Sequence, residues 1–252
     1  MRYSLCIEPI FEGLDFYDRI KLAADAGLDA VELWDPTVYD CDRIGKAARD
    51  AGLDVAICCL GDAWGNRLNE EPAAVMENYK KAVPLMKAMG CKSAIGLSGD
   101  IDSKADTQKN ILIYNLSKIA EQAEKDDITV CVEALNSFRD HKGYYLDSSR
   151  LGFEILKCVD SPRVKLLFDI YHMQVNEGNI IENITKNIGR IGHFHSAGVP
   201  GRNEHFNGET AYPTVEKAIE GAGYDRYFGL EYWPTYDSEK SLHDVMEYLR
   251  KR

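Results

Sequence analysis

VKLLFDIYHMQVNEGNIIENITKNIGRIGHFHSAGVPGRNEHFNGE, residues 164–209, contains two short apolar runs that each end in a residue able to bind a metal ion. Asp169 ends the first run, VKLLFD, and His195 ends the second, RIGHFH. The neighbouring apolar runs follow the same pattern: ITVCVEAL contains Glu133, and RYFGLEYW contains Glu231. Because side chains alternate between the two faces of a strand, these four residues are predicted to meet at one end of a common interior.

Short apolar runs alternate with amphipathic helical stretches along the whole chain. Such runs are typical of strands buried on both faces, and strict alternation of strand and helix predicts a parallel sheet. Eight such units fit one α/β domain over residues 1–252, a (β/α)8 TIM barrel. The predicted strand–helix pairs are 3–8 with 14–26, 29–34 with 40–52, 53–60 with 70–90, 91–97 with 103–126, 128–135 with 147–159, 164–169 with 179–188, 190–195 with 211–222, and 226–233 with 238–250.

Charge and length limit the possible partners. The chain has 252 residues, 45% of them hydrophobic, which is enough for a large core. Its net charge of −11 repels phosphate backbones, and its 30 basic residues are scattered rather than grouped in a stripe. We therefore expect no nucleic-acid partner and a small-molecule substrate, and a homo-oligomer is compatible with the sequence.

The cysteines and the distribution of apolar residues indicate where in the cell the protein is expected. The seven cysteines are odd in number, form no CxxC pair and lie mostly in apolar runs, as free thiols do under reducing conditions. The N-terminal segment MRYSLCIEPIFEG lacks the apolar centre of a signal peptide, and no run approaches the roughly 18 apolar residues of a membrane span. We expect a cytoplasmic protein without a membrane partner.

The four strand-end residues together predict a metal site. A single carboxylate in a strand is more often a structural ion-pair partner, and a lone histidine is more often a hydrogen-bonded core residue. Three carboxylates at one place need a counter-charge, because burying an unpaired carboxylate costs on the order of several kcal/mol. The nearest basic residues, Arg139, Lys142 and Arg202, lie on loops. One divalent cation is the simpler answer, with Mn²⁺ or Mg²⁺ suited to the oxygen-rich set and Co²⁺ or Zn²⁺ tolerated.

Several motifs carry a family resemblance over essentially the whole chain. They are VEALN, GYYL, FDIYHMQVNEG, the VPGR-x-E…GE loop and LEYWP, with GDAWGNR at 61–67 as a further match. On these motifs the chain resembles the sugar isomerase/epimerase TIM barrels of the xylose isomerase-like type. Within that group it is most similar to hydroxypyruvate isomerases and related 2-oxo-acid sugar isomerases.

The resemblance implies roles for individual positions. Glu133, Asp169, His195 and Glu231 would hold the metal, and Glu133 and Glu231 would also form the acid/base pair. His172 would contact a substrate oxygen. Arg202 would meet the polar or anionic end of a small carbohydrate or 2-oxo acid.

Two departures from the family patterns keep a second activity open. Hydroxypyruvate isomerases tend to carry glutamine where this chain has His195, whereas ketose 3-epimerases of the same fold carry histidine. The epimerases usually show an acidic residue after an N-R-F motif, and NSFRDH at 136–141 lacks that pattern. The leading hypothesis is an aldose–ketose type isomerase, and the alternative is a ketose 3-epimerase with the same site.

Two further classes share this barrel. An apurinic-site endonuclease would need several zinc ions and extra histidine ligands from early strands, where this chain has WDP and LGD. The net charge also disfavours a nuclease. A carbohydrate-binding subunit without turnover is the fourth hypothesis.

Other polar residues receive more modest interpretations. Trp64 and Arg67 are candidates for a substrate-contacting lid, with ordinary loop packing as the alternative. Glu8 and Glu32 are expected on the opposite side of the barrel, in supporting or substrate-hydroxyl roles, and His193 is expected as a hydrogen-bonded core residue. Glu204 and His205 are interpreted as loop charges only, and His141 and His243 are expected to be solvated.

Overall fold

The eight predicted strands form one closed parallel barrel in a computed structural model that describes residues 1–101 and 105–251. Neighbours in sequence are neighbours in the sheet, and β1 closes the barrel by pairing with β8. The predicted (β/α)8 barrel is therefore confirmed. The strands are β1 (Arg2–Cys6), β2 (Ala30–Leu33), β3 (Asp54–Cys59), β4 (Ser93–Leu97), β5 (Thr129–Glu133), β6 (Val164–Asp169), β7 (Ile191–Ser196) and β8 (Tyr227–Leu230).

The helices surround the barrel and follow the predicted stretches closely, with two additions. The helices are α1 (Ile7–Ile10), α2 (Asp18–Asp25), α3 (Cys41–Asp50), α4 (Pro72–Met89), α5 (Ala105–Asp126), α6 (Ser149–Val159), α7 (Ile170–Asn176), α8 (Ile180–Asn187), α9 (Tyr212–Gly221) and α10 (Ser238–Arg250). The first two positions of the predicted 103–126 helix lie outside the described residues. Helix α1 replaces the end of the predicted first strand, and α7 follows β6 directly where no helix was predicted.

Side chains along each strand point alternately into the barrel and outward to the core under the helices. A small apolar cluster fills the interior, and it contains Cys131 and Leu167, the residues two positions before Glu133 and Asp169. The alternation used to predict convergence therefore holds in β5 and β6. Within residues 1–101 and 105–251, no helix combines the length and apolar character needed to cross a bilayer.

One glycine makes room inside the barrel. A Cβ atom on Gly229 of β8 would lie 2.6 Å from Glu32 Oε1 and 2.9 Å from His193 Nε2. Both atoms belong to polar side chains that cross the interior. A residue without a side chain is therefore required in β8 for these groups to lie beneath the mouth of the barrel.

Candidate active site

The four predicted ligand residues converge at the C-terminal mouth of the barrel. Glu133 and Asp169 end β5 and β6, His195 lies near the end of β7, and Glu231 follows β8. All four are buried, and each offers one oxygen or nitrogen atom within 4.8 Å of the others. We call these four residues the upper cluster. The four side chains therefore meet at the mouth of the barrel, as predicted.

Asp169 is held by the helix that the sequence did not predict. It is the N-cap of α7, and its Oδ1 accepts a hydrogen bond from the backbone N–H of His172 at 3.1 Å. One carboxylate oxygen thus satisfies a helix N-terminus, while Oδ2 lies towards the site, 3.6 Å from His172 Nε2. Burial raises the pKa of Asp169 to about 7, even though Arg202 acts in the opposite direction.

His195 presents one ring nitrogen to the upper cluster. Its Nε2 lies 2.8 Å from Glu32 Oε2, whereas Nδ1 lies 3.3 Å from Glu133 Oε1 and 3.5 Å from Glu231 Oε2. The bond to Glu32 assigns a proton to Nε2 and leaves Nδ1 as the atom available to a metal. Burial lowers the pKa of His195, but Glu231 and Glu32 outweigh it, so the pKa stands well above its ordinary value.

Glu32 and His193 form a second group directly beneath. Glu32 Oε1 accepts from Ser4 and lies 2.8 Å from His193 Nε2, so both carboxylate oxygens have partners. Glu32, His193 and His195 also have atoms within 4.8 Å of one another, and we call them the lower cluster. The expected core position of His193 agrees with this geometry. Glu32 lies on β2, and its side chain crosses the interior to bond His195, which agrees with the supporting position expected for it.

The carboxylate of Glu231 is held by an indole N–H and by a guanidinium group. The indole Nε1 of Trp34 donates to Glu231 Oε1 at 2.6 Å, and the Arg202 guanidinium bonds Oε2. Burial raises the pKa of Glu231, but Arg202 and His195 outweigh it and the pKa is lowered. Trp34 was not among the sequence-predicted site residues. Its only signal was the similarity between VELWDP at 31–36 and LEYWPT at 230–235.

His172 supplies a neutral donor at the edge of the upper cluster. Its Nδ1 accepts from the backbone N–H of Asn136 at 3.2 Å, which assigns the ring proton to Nε2. Within the described part of the chain, Nε2 is buried without a hydrogen-bond partner. Burial and the nearby Arg202 lower the pKa of His172 well below its usual value. A neutral N–H that faces the site suits the predicted contact with a substrate oxygen.

A cavity of about 330 Å³ opens above Glu133 and Glu231. Three tryptophans, Trp34, Trp64 and Trp233, form much of its wall together with aliphatic side chains of the strand ends. Trp64 is 73% exposed at its rim, where a lid residue was predicted. His141 also lines the cavity and is half-buried, so its expected solvated position is wrong.

The two arginines predicted to contact substrate lie in different surroundings. Arg202 lines the cavity, with its guanidinium carbon 4.8 Å from the centre of the Trp233 ring. Among the described residues lining the cavity, it is the only arginine or lysine. Arg67 lines a smaller neighbouring cavity and donates to the carbonyls of Ala63 at 3.2 Å and Asn66 at 2.8 Å. Its role in substrate binding stays a prediction.

Two residues interpreted as loop charges only are buried. Glu204 and His205 each have 0% exposure. The Oγ of Ser196 lies 2.9 Å from His205 Nε2, and burial lowers the pKa of His205 to about 3. The interpretation was wrong because the loop folds back onto β7 and the segment after β8. His243 is exposed as expected, and Glu8 is half-buried with its Oε1 accepting from the Trp34 backbone N–H at 2.8 Å.

The residues present fit a divalent cation. Three carboxylates and the imidazole Nδ1 offer the mixed oxygen and nitrogen donors that Mn²⁺ and Mg²⁺ accept. Burial lowers the pKa of His195, but Glu231, Glu32 and Glu133 raise it by more, so His195 lies in a negatively charged environment. A histidine nitrogen already oriented by Glu32 is the arrangement that metal-binding imidazoles commonly have.

A closed (β/α)8 barrel with acidic and imidazole side chains at its C-terminal mouth defines a TIM-barrel enzyme, because the active site of this fold lies at that face. The model of the xylose isomerase-like TIM barrel family matches residues 20–252, and the chain belongs to that family.

Curated relatives are similar over nearly their whole length. The 2-oxo-tetronate isomerase of Cupriavidus necator is 31% identical, with 98% of each chain covered. The hydroxypyruvate isomerase of Escherichia coli is 29% identical, with 96% of this chain and 97% of the relative covered. The expected enzyme class, an isomerase, is confirmed by these relatives.

Solved structures share the fold. One from Brucella melitensis, described as an AP endonuclease of family 2, is 28% identical, covers 98% of both chains and has a TM-score of 0.91. A D-psicose 3-epimerase from Clostridium cellulolyticum, 17% identical over 99% of this chain and 98% of its own, has a TM-score of 0.83. At that identity the epimerase shows the fold alone.

Proposed function

We propose that this isomerase interconverts a small 2-oxo acid that carries a neighbouring hydroxyl group with the corresponding hydroxy-aldehyde. The observation that carries the proposal is the upper cluster, four buried acidic and imidazole side chains at the mouth of a small cavity. The names of the Escherichia coli and Cupriavidus necator relatives support the substrate class. The net charge of −11 counts against a phosphodiester substrate.

The proposal includes one divalent cation, Mn²⁺ or Mg²⁺. Glu133, Asp169, His195 and Glu231 would hold it. When bound, the cation supplies Lewis acidity and stabilises the negative charge of an enediolate, a contribution of roughly several kcal/mol. The chain itself provides the remaining functions, which are orientation, exclusion of water and movement of the proton.

Glu133 and Glu231 are proposed as the proton-transfer pair. One carboxylate removes a proton from the carbon that carries the hydroxyl group, and the same or the other carboxylate returns a proton to the former carbonyl carbon. The hydroxyl proton moves to the former carbonyl oxygen, so the new aldehyde and the new hydroxyl group form together. Both side chains line the cavity, so both can reach the same small substrate. General acid–base catalysis of this kind contributes about 10²–10⁴ in rate.

Two further side chains would bind the substrate. The Nε2–H of His172 has no hydrogen-bond partner among the described residues, lies at the edge of the upper cluster and would donate to a substrate oxygen. Arg202 would meet the carboxylate, since a guanidinium pairs well with a planar anion and this one already lines the cavity. The three tryptophans would exclude water and pack against the carbon skeleton of the substrate.

A ketose 3-epimerase is the second candidate, and His195 is the residue that favours it. In that reaction the same carboxylate pair would remove a proton from a carbinol carbon beside the ketone and return one to its opposite face. The upper cluster would serve either reaction. The position of the substrate's carbon chain in the cavity would decide between them.

NMR of the reaction in D₂O tests the two candidates. With Mn²⁺ and hydroxypyruvate, the proposed isomerase should form the hydroxy-aldehyde with deuterium on the former carbonyl carbon. With a ketose such as D-fructose, an epimerase would instead incorporate deuterium at an inverted carbinol carbon beside an intact ketone. Epimerisation without isomerisation would select the second candidate. Failure to exchange any carbon-bound proton of either substrate would contradict both.

A further inference from the structure

The loop that carries Arg202 has an unfavourable backbone conformation at that residue. We call residues 198–209 the arginine loop. Arg202 has a φ of 57°, in the left-handed region that residues other than glycine rarely adopt. Such conformations persist where the surrounding contacts fix them, often at functional sites. The contacts that hold the arginine loop therefore determine where the guanidinium lies.

The arginine loop bonds to the segment after β8 at consecutive residues. The backbone N–H of Trp233 donates to the carbonyl of Arg202 at 2.9 Å. The side-chain amide of Asn203 donates to the carbonyl of Trp233 at 2.8 Å. These bonds place Arg202 beside Glu231 and against the face of the Trp233 ring, so the loop and the segment 231–235 form one wall of the cavity.

Glu204 completes this attachment. Its Oε1 accepts from the backbone N–H of Thr235 at 2.8 Å and from Ser241 Oγ at 2.9 Å. Its Oε2 accepts from Thr235 Oγ1 at 2.9 Å. The side chain is fully buried, and all three bonds cross from the arginine loop to the segment after β8 or to α10. A buried carboxylate that accepts three bonds from the segment after β8 and from α10 indicates a residue that holds the arginine loop against them.

We propose that Glu204 is a positioning residue that attaches the arginine loop to the segment 231–235 and thereby sets Arg202 against Glu231 and the substrate carboxylate. The attachment is independent of the proposed function. The substrate contact of Arg202 rests on that function. This role replaces the interpretation of Glu204 as a loop charge only.

Amide hydrogen–deuterium exchange of the full-length protein tests the attachment directly. Glu204→Ala removes all three acceptor bonds, so exchange in residues 199–209 and 231–236 should rise roughly ten- to a hundredfold while the rest of the barrel is unchanged. Thr235→Val removes one bond and should produce a smaller rise in the same two segments. Unchanged exchange in both segments of Glu204→Ala would overturn the attachment, whatever the activity.

Steady-state kinetics with hydroxypyruvate and Mn²⁺ test positioning. Glu204→Ala should raise KM roughly tenfold with a smaller change in kcat, because the substrate's anionic end loses an oriented partner. Arg202→Ala should have the same effect, and the double variant should be no worse than Arg202→Ala alone, since both act through one contact. Additive effects would overturn the positioning role.

Two variants separate positioning from general loss of stability. Glu204→Gln keeps an oxygen for the Thr235 N–H and should restore KM to near the wild-type value. Glu216→Ala is the matched control, since Glu216 is also buried but bonds Tyr3 at the start of β1. It should lower stability without raising KM. A KM increase in Glu216→Ala equal to that of Glu204→Ala would overturn the proposal.

The experiments distinguish failure of the proposed isomerase activity from failure of the proposed role of Glu204. If the wild type does not turn over hydroxypyruvate but Glu204→Ala raises exchange in the two segments, the attachment stands and the proposed function is wrong. If hydroxypyruvate is turned over and exchange in Glu204→Ala matches the wild type, the attachment is wrong and the isomerase stands.

Discussion

The upper and lower clusters share His195 but have opposite charge balance. In the lower cluster one carboxylate, Glu32, lies between two imidazoles at 2.8 Å from each. Its pKa is lowered because His193 and His195 outweigh the effect of burial. In the upper cluster three carboxylates surround one imidazole, and burial raises the pKa of Asp169 to about 7.

The difference shows which cluster suits a cation. The lower cluster satisfies its own hydrogen bonds, so an added ion would have to displace protons from bonds already made. The upper cluster has three carboxylates and keeps an excess of negative charge even with the Arg202 guanidinium on Glu231. Its contacts to His195 Nδ1 are longer, 3.3 Å from Glu133 and 3.5 Å from Glu231. Proximity of ligand-type residues alone would not distinguish the two groups, whereas charge balance and hydrogen-bond satisfaction do.

The largest expected effect comes from removing a basic oxygen in the upper cluster. Glu133→Gln and Glu231→Gln each keep one ligand oxygen, so the bound metal should be largely retained. Turnover should fall by about 10²–10⁴ because the proton acceptor is lost. Steady-state rates with hydroxypyruvate and metal analysis of the same samples measure both quantities.

Two other results would change the roles assigned to Glu133 and Glu231. Near wild-type turnover in both would remove the pair from the mechanism. Loss of metal in parallel with turnover would mean that the glutamates act as ligands only, and the proton acceptor would have to be sought elsewhere among the cavity residues.

A smaller effect is expected from the lower cluster. Glu32→Gln removes the charge that orients His195, and partners of this kind change metal affinity by about 10–100-fold. His193→Gln leaves the bond between Glu32 and His195 in place, so it serves as the matched control and should keep metal affinity near the wild-type value. Titration of Mn²⁺ into metal-free samples measures both affinities. Equal losses in the two variants would mean that the lower cluster acts as a unit in metal binding.

The smallest of these effects concerns the indole that bonds Glu231. Trp34→Phe removes the N–H donor 2.6 Å from Glu231 Oε1 and keeps an aromatic wall. A hydrogen bond to a charged group contributes about 1.5–3 kcal/mol, and loss of the lower value alone should reduce kcat about tenfold. Trp64→Phe is the control, because Trp64 is mostly exposed at the rim and should change KM more than kcat. Equal kcat values for Trp34→Phe and wild type would show that this bond does not orient Glu231 for catalysis.

The barrel and the upper cluster could be predicted because both follow from local pattern. Uninterrupted apolar runs indicate buried parallel strands, and the last inward-facing residue of each run marks the C-terminal mouth. Asp169 shows the limit of that approach. Its sequence position predicted a metal ligand, but the same aspartate also caps α7, and the predicted strand end obscured the N-cap signal.

Contacts across the barrel could not be read from local pattern. Trp34 and Glu231 are 197 positions apart, and no spacing rule relates an indole on one strand end to a carboxylate on another. Glu204 lies in RNEHFNGE, which is typical of a solvated loop. Only the folding of that loop onto Thr235 shows that its carboxylate is buried and fully bonded.

Calorimetric titration of metal-free protein with Mn²⁺ tests the difference between the two clusters most directly. The wild type should bind about one ion per chain, as expected of a single oxygen-rich site. Asp169→Asn should weaken that binding strongly, because it removes a ligand found only in the upper cluster, whereas His193→Gln should leave it near the wild-type value. Two or more ions per wild-type chain, or binding that survives Asp169→Asn and is lost in His193→Gln, would contradict the assignment of the cation to the upper cluster.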